Sequence, residues 1–160
     1  MADNPGQYVV IIPTPDADCP AHRALRMEGI EIEVVTLGND FDYERLLADL
    51  WQRGNFILVE WDIVPWPGLI RELIACPARF CVSCYHNGGF DGGWGFSLGC
   101  VKFSTDFIRD HEVDLHLLRS TDWRNLDTVF WKELRHPPAH IHHPGVGHAS
   151  RNIETSLVLG

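Results

Sequence analysis

Apolar residues along this chain come in short blocks whose spacing switches between the period of a strand and that of a helix. "YVVII", Tyr8 to Ile12, is a continuous apolar run halted by "PTP", the pattern of a strand buried on both faces. "IEIEVVTL", Ile30 to Leu37, alternates, then turns apolar until "GND" stops it. "FDYERLLADLWQRG" predicts the clearest helix, because Tyr43, Leu46, Leu47, Leu50 and Trp51 fall on one stripe. Asp42 is placed to cap it, Phe41 and Leu46 to staple it, and Gly54 to end it. "FILVE" predicts a strand, "PGLIRELIACP" a helix opened by Pro67 and closed before Pro77, and "FCVSCY" another strand. Past the glycine-rich "HNGGFDGGWGFSLG", "CVKFS" predicts a strand and "TDFIRD" a short helix. "STDWRNLDTVFWKELRH" predicts a further helix with Leu126, Val129, Phe130 and Leu134 on one side. "PPAHIHHPGVGH" reads as loop or short strand, with a frayed tail beyond it.

Strands alternating with helices predict an α/β fold, a mostly parallel sheet flanked by helices on both faces. Neither an internal repeat nor a linker-like stretch interrupts the pattern, so a single domain is expected over 1–160, with its core at about 8–148. Ligands of such folds bind beyond the carboxyl ends of the strands. Thr14, Thr36, Glu60 and Asp62 all fall there.

Composition narrows the function classes. The chain carries 13 Lys plus Arg against 22 Asp plus Glu, a formal charge of −9, which argues against broad nonspecific nucleic-acid binding. "MADNPGQYVV" has no basic region leading into an apolar one, and no run of about 18 uninterrupted apolar residues occurs. The expectation is a soluble protein without membrane insertion, in the cytoplasm of a bacterial or virus-infected cell. Five cysteines, an odd number, suit a reducing compartment. Six tryptophans and eight phenylalanines are many for this length; most are expected in the core and some to line a binding surface.

Candidate chemistry gathers at "FILVEWDIVPWPG". Glu60 and Asp62, one residue apart in an extended stretch, would point to the same side. Two such carboxylates suit a hard divalent cation, Mg²⁺ or Mn²⁺, whose other positions are filled by phosphate oxygens and water. The competing reading is that they cap a turn or pair with arginines. A second constellation is the histidine run His136, His140, His142, His143 and His148, which with Cys81 and Cys84 of "CVSC" suggests zinc. Against zinc, alternation along a strand turns Cys81 and Cys84 to opposite faces.

In order along the chain, "VVIIPTPD", "IEIEVVTLGND", "FILVEWDIVPWPGLIREL", "FSLGCVKFSTDFI" and "LDTVFWKELRHPPAHIHHPGVGH" resemble the segments of a GT-A fold nucleotide-sugar glycosyltransferase. The likeness is to the inverting family that opens on an "IIPT" strand, and it spans roughly residues 8 to 148. It implies that Pro13 and Thr14 approach the nucleobase, that Asp62 of the E-x-D binds Mn²⁺ or Mg²⁺ with Glu60 in support, and that His148 completes the metal shell. It further implies that Asp127 is the catalytic base toward an acceptor hydroxyl. Where the family has an acidic pair after the second strand this chain has Thr36 and Leu37, with Asp40 near enough to substitute, so the nucleobase is open; a UDP-sugar is favoured. Asp122 and Asp91 are rival bases, and Trp94 in the glycine-rich segment is a candidate stacking platform within a lid or acceptor loop.

The partner is thus expected to be a nucleoside-diphosphate sugar donor. The acceptor stays open among carbohydrate, small molecule, protein and a modified base in viral DNA. Two other readings stand beside this one: a noncatalytic nucleotide- or sugar-binding domain of the same fold, and a zinc-stabilised Cys/His interaction module. Zinc that resists dialysis would favour the module over the transferase.

Overall fold

Both periods of the sequence reappear in space in the computed structural model, which describes residues 7–39, 41–86, 94–95, 98–114, 116–117, 123–135 and 138–148. The strands are β1 (Val9–Thr14), β2 (Glu33–Thr36), β3 (Phe56–Val59), β4 (Ile63–Pro65), β5 (Phe80–His86), β6 (Trp94–Gly95), β7 (Cys100–Phe103) and β8 (His140–His148). The helices are α1 (Pro20–Met27), α2 (Asp42–Arg53), α3 (Leu69–Ala75), α4 (Thr105–Asp110) and α5 (Trp123–Glu133).

One sheet holds the strands in the order β2-β1-β3-β7-β5-β8-β4, with β6 attached to β5. β1, β2, β3, β5 and β8 share a direction, while β4, β6 and β7 run against them. β7 lies mid-sheet between β3 and β5 and runs antiparallel to both.

Helices cover both faces. On one, Tyr43, Leu47, Leu50 and Trp51 of α2, Phe107 of α4, and Leu126 and Phe130 of α5 pack on Ile11, Leu58, Val101 and Phe103. Trp51 meets Phe103 edge-on at 5.2 Å and Phe130 at 5.3 Å, and Phe80 stacks on Phe103 at 5.1 Å. On the other face, Ala21 and Leu25 of α1 and Leu69, Ile70 and Leu73 of α3 pack on Val10, Ile12, Ile57 and Val59. The architecture is α/β, a mostly parallel sheet with helices on both faces, as the alternation predicts.

Four local readings are corrected. Asp42 does not cap α2: it is the helix's first residue, and its carboxylate turns back to accept from the Gly38 and Asn39 N–H groups at 2.7 and 3.1 Å. α1 has no counterpart in the sequence reading, because "PAHRALRM" buries only Ala21 and Leu25, too few positions to show a period. β4 was likewise unread, since Pro65 looked like a turn residue; it occupies the end strand of the sheet, where a missing N–H is tolerated. The segment read as loop or short strand is the nine-residue β8, which His, Pro and Gly disguise. Among the described residues, no helix is long and apolar enough to cross a membrane.

Candidate functional site

The shared direction of β1, β2 and β3 brings their carboxyl ends to one edge. Thr14 stands opposite Thr36 and Pro13 opposite Val35, and the Leu37 N–H donates to the Thr14 carbonyl at 2.8 Å. Thr14 is fully buried. Its hydroxyl accepts from the Asp16 N–H at 3.0 Å and donates to the Asp16 carbonyl, closing the loop to α1. Thr36 is exposed at the end of β2. The loop after it is tied to Asp42, whose carboxyl is held below its ordinary range, chiefly by the Gly38 N–H and further by Asn39. Asp40 lies outside the described residues.

β3 ends at Val59, and the Ile63 N–H donates to the Glu60 carbonyl at 3.0 Å. Glu60 to Ile63 is therefore a tight turn with Trp61 and Asp62 at its centre. This corrects the extended E-x-D with both acids on one side: alternation ceases where the chain reverses. Glu60 accepts from the Tyr43 hydroxyl at 2.8 Å and donates its N–H to the Gly99 carbonyl at 2.9 Å. It is thus fixed between α2 and the segment before β7. Asp62 is partly exposed, and Trp61 between the two acids is 39% exposed.

The reversal feeds β4, which runs antiparallel to β8 with Ile63 opposite His148. The backbone of His148, far along the chain, is thereby brought beside Ile63, the residue that follows Asp62. Only backbone placement is described at His148, Asp127 and Trp94. Asp127 lies in the second turn of α5. Trp94 belongs to β6, opposite His86, so part of the glycine-rich segment is strand. Asp91 and Asp122 lie outside the described residues.

No protein-family model matches the chain, and no curated protein does. Solved structures do. One described as "Crystal Structure of A197 from STIV" is similar over 90% of this chain and 83% of its own, at a TM-score of 0.56 and 10% identity. Another is a "crystal structure of a glycosyltransferase involved in the glycosylation of the major capsid of PBCV-1", similar over 89% of this chain and 93% of its own, at a TM-score of 0.53 and 10% identity. The fold is glycosyltransferase-like. At that identity the likeness speaks to architecture alone, and the chemistry must be argued from the edge just described.

A second set of donors lies at the opposite, amino edge. Cys76, which ends α3, comes together with His140 and His142 at the start of β8. Burial first, and the nearby His140 charge next, push the His142 imidazole toward its neutral form. The zinc reading named the two histidines but paired them with Cys81 and Cys84. Burial pushes the Cys81 thiol up to about 12, and the Cys84 thiol donates to the His142 carbonyl at 3.7 Å. Neither joins the cluster, and Cys76 was missed. The H-x-H spacing was the available signal, since on a strand it puts two imidazoles on one side.

Proposed function

We propose that the chain is a metal-dependent glycosyltransferase that moves a sugar from a nucleoside-diphosphate sugar, a UDP-sugar by preference, to a hydroxyl acceptor. The observation that carries this reading is the β4–β8 register, which sets His148 opposite the residue after Asp62 on the edge where Thr14, Thr36 and Glu60 converge. A carboxylate, an imidazole and open positions suit Mn²⁺ or Mg²⁺. Asp62 and His148 would hold the ion, which when bound neutralises the charge that develops on the diphosphate.

This chain's own residues do the rest. Tyr43 fixes Glu60, so the turn presenting Asp62 is set before the donor arrives. Thr36 would face the nucleobase, with Asp40 as the acid that could pair with it, and Pro13 and Thr14 would shape the strand end beneath. Asp127 takes the proton from the acceptor hydroxyl as its oxygen bonds to the anomeric carbon. The bond from that carbon to the diphosphate oxygen breaks, and the nucleoside diphosphate leaves. The capsid glycosylation named for one structural neighbour makes a protein acceptor a natural first trial beside carbohydrate.

Calorimetric titration of UDP and then GDP, with and without Mn²⁺, tests the proposal. Binding of UDP is expected to require Mn²⁺ and to vanish in Asp62→Ala. If neither nucleotide binds under any metal, the donor assignment fails. If UDP binds but no acceptor, carbohydrate, protein, small molecule or modified DNA base, receives sugar, the noncatalytic binding domain replaces it.

A further inference from the structure

β8 is poorly built for the place it holds. Its first half carries no buried side chain among the described residues: His140 and Ile141 are exposed, Ile141 at 42%, and His142 is half-buried. Pro144, Gly145 and Gly147 are weak strand formers. β4 pairs only with Val146 to His148, so β5 alone flanks the half that begins the strand. Apolar burial, which secures β1, β3 and β7, does little here.

At that half, Cys76, His140 and His142 each present one donor atom, all within 4.8 Å of one another. The two imidazoles face each other edge to plane at 4.8 Å. The buried Lys102 ammonium donates to the Cys76 carbonyl at 2.7 Å, which fixes the end of α3. The Nε2 atom of His142 is buried and has no hydrogen-bond partner. A buried polar atom left so is costly and calls for a ligand.

We propose that Cys76, His140 and His142 form a zinc site that staples β8 to the C-terminal end of α3. A thiolate with two imidazoles is a borderline-soft donor set, suited to Zn²⁺ and poorly suited to Mn²⁺ or Mg²⁺. Tetrahedral zinc places neighbouring donors about 3.5 Å apart, so the cluster closes by side-chain rotations of roughly 1 Å. The fourth position falls to water, as in zinc sites with three protein ligands. Along β8 the six steps from His142 to His148, at about 3.3 Å each, separate this site from the carboxyl edge by roughly 20 Å. Bound zinc therefore sits comfortably beside a transferase reading and need not replace it.

The test uses the full chain without an affinity tag, kept reduced, stripped of metal and titrated with Co²⁺. One equivalent should bind with a thiolate-to-cobalt charge-transfer band that Zn²⁺ abolishes by displacement. Cys76→Ser should lose the band. His140→Gln and His142→Gln should weaken Zn²⁺ by more than the roughly 10- to 100-fold that loss of an outer-shell partner costs. Asp62→Ala should keep both band and affinity. Circular dichroism of each stripped variant against the stripped wild type separates lost ligation from lost folding, and any one folded variant suffices. A folded wild type without the band, a band that survives in Cys76→Ser, or histidine variants with undiminished Zn²⁺ affinity overturns the proposal. Loss of UDP binding with the cobalt band intact would instead sink the transferase reading alone.

Discussion

At the carboxyl edge of the sheet the acids lie two positions apart and are set by a turn and by the Tyr43 hydroxyl. At the amino edge the donors are a thiol and two imidazoles, drawn from the end of α3 and from the last strand. The two acids are neighbours in sequence and hard donors; the thiol and imidazoles are distant in sequence and softer. β8 joins them, with His140 and His142 at one end and His148 at the other. A sheet whose strands mostly share a direction can thus keep two proposed metal sites apart, because each edge collects a different set of loop and strand ends.

Replacing the proposed base should break that comparison hardest. Asp127→Asn is expected to lower turnover by roughly 10²- to 10⁴-fold while leaving UDP affinity and Co²⁺ binding alone; steady-state rates set beside calorimetry check it. A core substitution should instead hit both edges together. Phe103→Ala, at a fully buried position touching Trp51, Phe80 and Phe130, is expected to cost about 3–5 kcal/mol in urea denaturation. Tyr43→Phe sharpens the contrast, removing one hydrogen bond worth about 1 kcal/mol. UDP affinity should fall several-fold while the cobalt band stays unchanged.

The smallest effect is a pH dependence at Asp42. Its carboxyl titrates lower when folded than at its ordinary value of 3.8, chiefly through the Gly38 N–H. The unfolded chain therefore binds the proton first. The contribution of Asp42 is complete above pH 3.8 and is lost as pH falls through the lower folded value. Melting temperatures of wild type and Asp42→Asn should differ at neutral pH and converge at the acid end.

How much was legible follows the same divide. α2 showed itself because five apolar positions keep one period, and the runs that became β1, β3 and β7 because both faces are buried. The E-x-D was legible as a motif but not as a shape, since one hydrogen bond from Ile63 turns an extended stretch into a reversal. His148 was named through resemblance, yet only strand pairing brings it to Ile63. Cys76 was passed over for Cys81 and Cys84, the cysteines that follow it in the chain, because its neighbours His140 and His142 arrive only through the parallel pairing of β8 with β5. Asp42 looked like a cap because capping residues and loop-tying residues are the same types.

The three-residue β4 has a bearing on self-association. It ends the sheet, its last residue is Pro65, and Ile63 and Pro65 are buried. A long flat outer strand would offer a template on which further chains could add and grow into fibres. A stub of three residues closing on a ring nitrogen with no hydrogen to donate gives an incoming strand almost nothing to pair with. On this side, then, assembly by strand addition is blunted by the same short segment that leads the chain away from Asp62.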